Sequence, residues 1–157
     1  MSESEPDFIS DQPLLKQILD LALEKKAVRL VVLDVRGLSS LTDFFVICNG
    51  ESEPQVKAIT DNIWKGTPHK PRHLEGYENQ NWILMDYFDI VVHVFKREER
   101  DYYGLERLWA DAPLKQFSNE STEIATGWIP IFSFILFVIP KQGLFPRAAE
   151  TSGIRRP

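Results

Sequence analysis

Two apolar runs separated by only two residues constrain this chain more than any other feature. Trp82-Ile-Leu-Met-Asp-Tyr87 and Ile90-Val-Val-His-Val-Phe95 flank Phe88-Asp89. Both runs are rich in β-branched and aromatic residues, and a two-residue spacer is hairpin length, so they are expected to pair as antiparallel strands. Alternation then puts Trp82, Leu84 and Asp86 on one face and Ile83, Met85 and Tyr87 on the other. One face is expected to meet helices while the other stays open. A face carrying Trp, Leu and a carboxylate suits a protein interface, where aromatic anchors dominate the energetics; the plain alternative is that Trp82 is ordinary core.

The rest of the chain supplies elements around this hairpin. Leu15, Ile18, Leu19 and Ala22 recur at helical spacing, with Asp11 as the expected N-cap and Pro13 in the first turn. Residues 29–35 and 44–48 read as short buried strands. Ser52 followed by Gln55 forms a capping box, with Pro54 in the first turn, and starts a helix ending near Gly66. His73–Gly76 reads as an edge strand. Residues 97–109 read as a helix with Tyr102, Leu105, Leu108 and Trp109 turned inward, closed by Ala112-Pro113. The order αββαβββα predicts an α/β (α+β) fold, a mixed sheet with helices packed on it.

At 157 residues with 43% hydrophobic content, the chain is expected to build about one domain. The expected domain is residues 11–117, after a flexible acidic start at residues 1–10. Residues 118–157 are expected to form a C-terminal extension of unknown role, partly disordered. Within it, Trp128–Ile139 is apolar but interrupted by Pro130, and shorter than the roughly 20 residues that span a bilayer. No membrane partner is expected; an added strand, a membrane-surface segment and a weakly structured extension all remain open for this run.

The net charge is −5, carried by the part before residue 118. Gripping a phosphate backbone relies on clustered Lys and Arg, so little direct nucleic-acid contact is expected. Cys48 is the single cysteine and reads as a buried structural thiol, with no disulfide to indicate an oxidising compartment. The first eleven residues carry neither a basic cluster nor an apolar core of a leader, so the cytoplasm is the expected location.

Gly50-Glu51-Ser52, between a strand and a helix start, is a place where backbone N–H groups can hold an anion, although capping alone explains it. The arrangement is like that of nucleotidyltransferases, which need a carboxylate pair on the following strand for magnesium. Here a helix follows, containing only Asp61. Asp86 and Asp89 come later, at the ends of the hairpin turn. His69 and His73 flank Pro71 and do not form a helical ligand pair, so no metal and no cofactor are expected. His93 alternates with Val91 and Phe95 on one strand face.

These stretches resemble the ribosomal silencing factor family (RsfS, Iojap). The resemblance runs through Asp34-Val-Arg-Gly-Leu38, Leu41-Thr-Asp-Phe-Phe-Val-Ile-Cys-Asn-Gly50 and Ser52 with Gln55-Val56. It continues in Glu75-Gly76, Trp82–Tyr87, Asp89–Phe95 and Tyr103–Trp109. It covers residues 14–113 in collinear order. Two positions depart from it: Phe88 stands where the family usually has Gly, and Gly104 where it usually has a helix-favouring residue. The resemblance implies a nucleotidyltransferase-like fold without its chemistry. It further implies docking on the large ribosomal subunit through ribosomal protein L-fourteen, a block on subunit joining, and repressed translation. The implied partner-binding residues are Trp82, Leu84, Asp86, Tyr87, Asp89 and His93, with no catalytic residue; a homodimer is left open. The alternative reading is a nucleotidyltransferase-like enzyme with unusual metal ligands.

Because the family motifs end by Pro113, truncation after Phe117 is expected to leave cooperative thermal melting nearly unchanged. Loss of the cooperative transition in the truncated protein would show that Trp128–Ile139 belongs to the core.

Overall fold

The computed structural model of the chain describes residues 7–118. A helix, α1 (Pro13–Glu24), leads into strands β1 (Val28–Asp34) and β2 (Phe44–Gly50), then helix α2 (Glu53–Gly66). Strands β3 (His73–Glu75), β4 (Trp82–Asp86) and β5 (Ile90–Lys96) follow. Two short helices, α3 (Arg97–Tyr103) and α4 (Leu105–Leu108), precede a last strand, β6 (Leu114–Phe117). The six strands form one mixed sheet in the order β3-β4-β5-β2-β1-β6. β2 and β5 run parallel from Phe44↔Ile90 to Gly50↔Lys96, and every other pairing is antiparallel. A parallel pair needs a long crossover, and α2 with the β3–β4 hairpin supplies it.

The first face of the sheet carries the main core. Leu30 and Val32 of β1, Phe44, Val46 and Cys48 of β2, Ile83 and Met85 of β4 and Ile90, Val92 and Val94 of β5 point there. α1 and α2 cover them with Leu15, Ile18, Leu19, Ala22, Val56, Ile59 and Ile63, all buried at the spacing of one helical face. Burial pushes the Cys48 thiol up to about 12, which makes it inert. A smaller core on the second face joins Val31, Leu33, Val35, Ile47, Phe95 and Ala112, with Leu105 and Trp109 of the α4 region packed against it. Among the described residues, no helix is long and apolar enough to cross a membrane.

The anticipated mixed α/β architecture is present, and four local expectations need correction. The core begins earlier than residue 11: Ile9 is buried, and Phe8 stacks on Phe44 with centroids 5.8 Å apart. The turn that buries Ile9 makes Gln12 the N-cap of α1, without a side-chain cap bond, so Asp11 does not cap it. The helix expected over residues 97–109 breaks at Gly104, whose φ of +55° is left-handed and ends α3. The break turns Tyr102 and Leu108 outward, 80% and 74% exposed, where continuous periodicity had placed them inside. β6 was not anticipated; it pairs with β1 from Leu30↔Phe117 to Leu33↔Leu114. The apolar run Trp128–Ile139 and residues 1–6 lie outside the described residues.

Arg100 is the central polar residue of the fold. It is buried, and its Nη1 donates to the Arg29 carbonyl at 2.6 Å and to Asn49 Oδ1 at 3.0 Å. Its Nε and Nη2 both reach Glu106 Oε1, at 3.0 and 2.7 Å. Removing one partner from a buried, hydrogen-bonded ion pair costs about 3–5 kcal/mol, because the groups left behind lose their partners. Arg100→Ala is therefore expected to lose about 3 kcal/mol or more in urea unfolding, seen as a lower midpoint with little change in slope.

Candidate functional site

The register of the hairpin decides which side chains share the second face. β4 and β5 pair Trp82↔Phe95, Leu84↔His93 and Asp86↔Val91. β5 and β2 pair Val91↔Phe45 and His93↔Ile47. Trp82, Leu84, Asp86, Val91, His93 and Phe45 therefore lie together on the second face, with Tyr103 of α3 against Trp82 and Trp109, just after α4, against Phe45. Trp82, Leu84, Asp86, Val91 and Phe45 are half-buried. The result is a half-buried apolar surface with one carboxylate.

A continuous aromatic chain stiffens this surface. Trp109 meets Phe45 at 5.2 Å between centroids, Phe45 meets His93 at 5.3 Å, and His93 meets Trp82 at 5.9 Å. Trp82 then stacks on Phe95 at 4.8 Å and touches Tyr103 at 4.8 Å. Offset and edge-on contacts at these distances are each worth about 0.5–1.5 kcal/mol beyond area burial. The Trp82 indole N–H donates to His93 Nδ1 at 3.1 Å, which orients the indole and leaves the imidazole proton on Nε2. Among the described residues, His93 Nε2 has no hydrogen-bond partner.

The implied partner-binding residues divide accordingly. Trp82, Leu84 and Asp86 come together on the surface, and His93 lies beneath them, 5% exposed. Tyr87 lies elsewhere: alternation turns it to the first face, where it is buried and shares a 3.1 Å hydrogen bond with Thr67 Oγ1. Burial opposes the charge on Asp86, yet the Phe88 N–H at 2.8 Å, Arg72 at 3.0 Å and His73 at 3.3 Å hold its carboxyl below the usual range. Asp89 is exposed in the turn, and its carbonyl accepts the N–H groups of Asp43 and Phe44. Sequence reasoning missed Phe45, Tyr103 and Trp109 as members of the surface. Alternation along β2 could have placed Phe45, but Tyr103 and Trp109 depend on the break at Gly104.

The loop at the start of α2 is occupied by its own side chains. Ser52 Oγ accepts the Gln55 N–H at 3.3 Å, and Gln55 Oε1 accepts the Glu51 N–H at 2.8 Å. Gly50 packs so closely that a Cβ would stand 2.9 Å from the Val56 nitrogen. Glu51 and Glu53 flank the loop and pair with Arg97 and Lys96. Backbone donors already used, with carboxylates around them, form a poor seat for a triphosphate. Asp61 is bound to Lys57 at 2.9 Å and to the Tyr77 hydroxyl at 2.6 Å. An open cleft nearby, lined by Trp64, Leu74, Gly76, Tyr77, Glu78 and Asn79, brings no further acid–base pair to that cluster.

A family model described as ribosomal silencing factor during starvation matches residues 9–128. The chain is 45% identical over 108 residues to a ribosomal silencing factor of Halalkalibacterium halodurans, covering 67% of this chain and 92% of that protein. A crystal structure from Bacillus halodurans superposes with a TM-score of 0.59 at 41% identity, over 68% of this chain and 99% of that one. A mouse protein named mitochondrial assembly of ribosomal large subunit protein 1 is 28% identical over 130 residues, 79% of this chain and 56% of its own length.

Burial pulls the His93 imidazole down to about 4, below its ordinary value of 6.5, so folding favours the neutral ring. A depressed folded-state pKa contributes stability that is complete above pH 6.5 and is lost as pH falls through 4. The contribution is on the order of 3 kcal/mol. His93→Gln, which keeps an acceptor for Trp82, is expected to flatten the pH dependence of urea stability between pH 6.5 and 4. An unchanged acid limb would mean that His93 is not buried as a neutral ring.

Proposed function

The chain belongs to the ribosomal silencing factor family, and on that premise we propose that it is a non-enzymatic factor that keeps the ribosomal subunits apart. It docks on the large ribosomal subunit through ribosomal protein L-fourteen, blocks joining of the small subunit and lowers translation, in the cytoplasm. The observation that carries this reading is the half-open aromatic surface built on Trp82, Leu84 and Asp86, with His93 beneath it. A pre-stiffened apolar patch with a carboxylate at its edge fits a protein partner, and the chain's net charge of −5 favours a basic one over bare RNA. The large subunit is supported by the name of the mouse relative. The filled donors at the start of α2 count against nucleotidyl transfer as the activity.

Trp82 is the proposed anchor. Its truncation is expected to cost about 2 kcal/mol or more of binding, roughly thirtyfold in affinity. The stability loss should be smaller than for a fully enclosed tryptophan, because the indole is only half-buried. Trp82→Ala should therefore melt cooperatively yet fail to block association of purified subunits at concentrations where the wild type does. A folded variant with wild-type potency in that assay would remove Trp82 from the interface.

A further inference from the structure

The hairpin turn carries a feature that the docking face alone does not explain. Phe88 occupies the first central position of the two-residue turn with φ +82°, the left-handed region that favours glycine. A bulky aromatic is strained there, and strained exposed residues persist where something other than folding retains them. The ring is 58% exposed, so burial in the core does not compensate. It is nevertheless held in place: the Arg72 guanidinium lies over it at 4.6 Å, and the Phe88 N–H is fixed by Asp86 Oδ1 at 2.8 Å. The last bond connects the turn directly to the edge of the Trp82–Leu84–Asp86 surface.

The neighbouring loop adds to the same end of the sheet. The N–H groups of Asp43 and Phe44 both donate to the Asp89 carbonyl, at 2.9 and 3.0 Å, which joins the loop before β2 to the turn. That loop carries Leu41, 86% exposed. The charge of Arg72 is engaged by Asp86 and by the Phe88 ring, whereas Asp89 is exposed with no ion pair among the described residues. The end of the sheet thus presents exposed apolar groups beside a free carboxylate.

We infer that Phe88, presented by its strained turn, is a second anchor of the docking face and inserts into an apolar site on a basic protein surface of the large ribosomal subunit. The inference rests on the proposed ribosomal role and extends it. Trp82 holds one end of the face and Phe88 the other, with Asp86 between them in sequence and bonded to the Phe88 N–H.

The test uses the full-length chain and purified large ribosomal subunits as the probe, with Phe88→Gly and Phe88→Asn beside the wild type. Both replacements tolerate positive φ, so both should raise Tm by about 3–5 °C. Both lack the ring and should bind the subunit about tenfold more weakly. Opposite signs in the two measurements are the expected result; a purely structural residue would not weaken binding while its removal stabilises the fold. Wild-type binding by Phe88→Asn would assign any loss in the glycine variant to turn flexibility and overturn the inference. An unchanged Tm in both variants would overturn the strain that motivates it. Unchanged subunit binding, with an altered oligomeric state by light scattering, would assign the ring to self-association and also overturn it. Failure of the wild type itself to bind large subunits would sink the ribosomal reading, and this inference with it.

Discussion

The fold depends on a guanidinium sealed between the sheet and the helices that follow it. β1 changes register between Val28 and Val31, with Arg29 at φ +52°, so the Val28 and Arg29 carbonyls are offered to something other than a ladder neighbour. Arg100 meets both, together with the Asn49 side chain at the end of β2 and Glu106 on α4. One side chain therefore links two strands and two helices. A buried cation alone would be costly; a planar group with five donors makes the site tolerable, and a lysine could not reproduce that fork. Since α4 and the residue after it carry Leu105 and Trp109 onto the second face, the limit of the proposed docking surface is set from this point.

What could be read without coordinates was whatever depends on local chemistry. Ser52 and Gln55 announce the start of α2, and the structure differs only in that Gln55 returns to Glu51 rather than to the cap itself. The β4–β5 hairpin follows from its two-residue spacer, and its alternation sorted Ile83 and Met85 inward and Trp82 and Leu84 to the second face. Arg100 was not legible, because it sits among Arg97, Glu98, Glu99 and Asp101 and looks like one more solvated charge. β6 was not legible either: Leu114-Lys-Gln-Phe117 is too short to signal a strand, and its partner lies in β1, far away along the chain. Gly104 looked like a weak residue in a continuous helix. Only the positive φ shows it to be a joint between two helices.

The candidate surface divides in the same way. Membership of Trp82, Leu84 and Asp86 in one face required only the period of a strand. The hydrogen bond from Trp82 to His93 required the cross-strand register, which sets His93 opposite Leu84 and diagonal to Trp82. Tyr87 was named with them through the resemblance, although alternation already set it on the opposite face, where the structure gives it to Thr67. The second face thus has two roles. Beneath α3 and α4 it is core; beyond them it carries the half-buried aromatic surface, and on the proposed function a partner would meet side chains whose ordering entropy is already spent.

The pairing of β6 with β1 has a consequence for how the protein is made. Synthesis is vectorial, and a domain finishes folding only when its last interacting element leaves the exit tunnel. Among the described residues that element is residues 114–117, which close onto the first strand of the sheet. Until then, a nascent chain carries β1 as an open edge, with Leu30 to Leu33 lacking their outer neighbour. The parallel union of β2 with β5 imposes a similar delay, since its two strands are separated by α2 and the β3–β4 hairpin. Among the described residues, the sheet therefore gains the strand that covers β1 only after residue 117 has emerged from the ribosome that makes it.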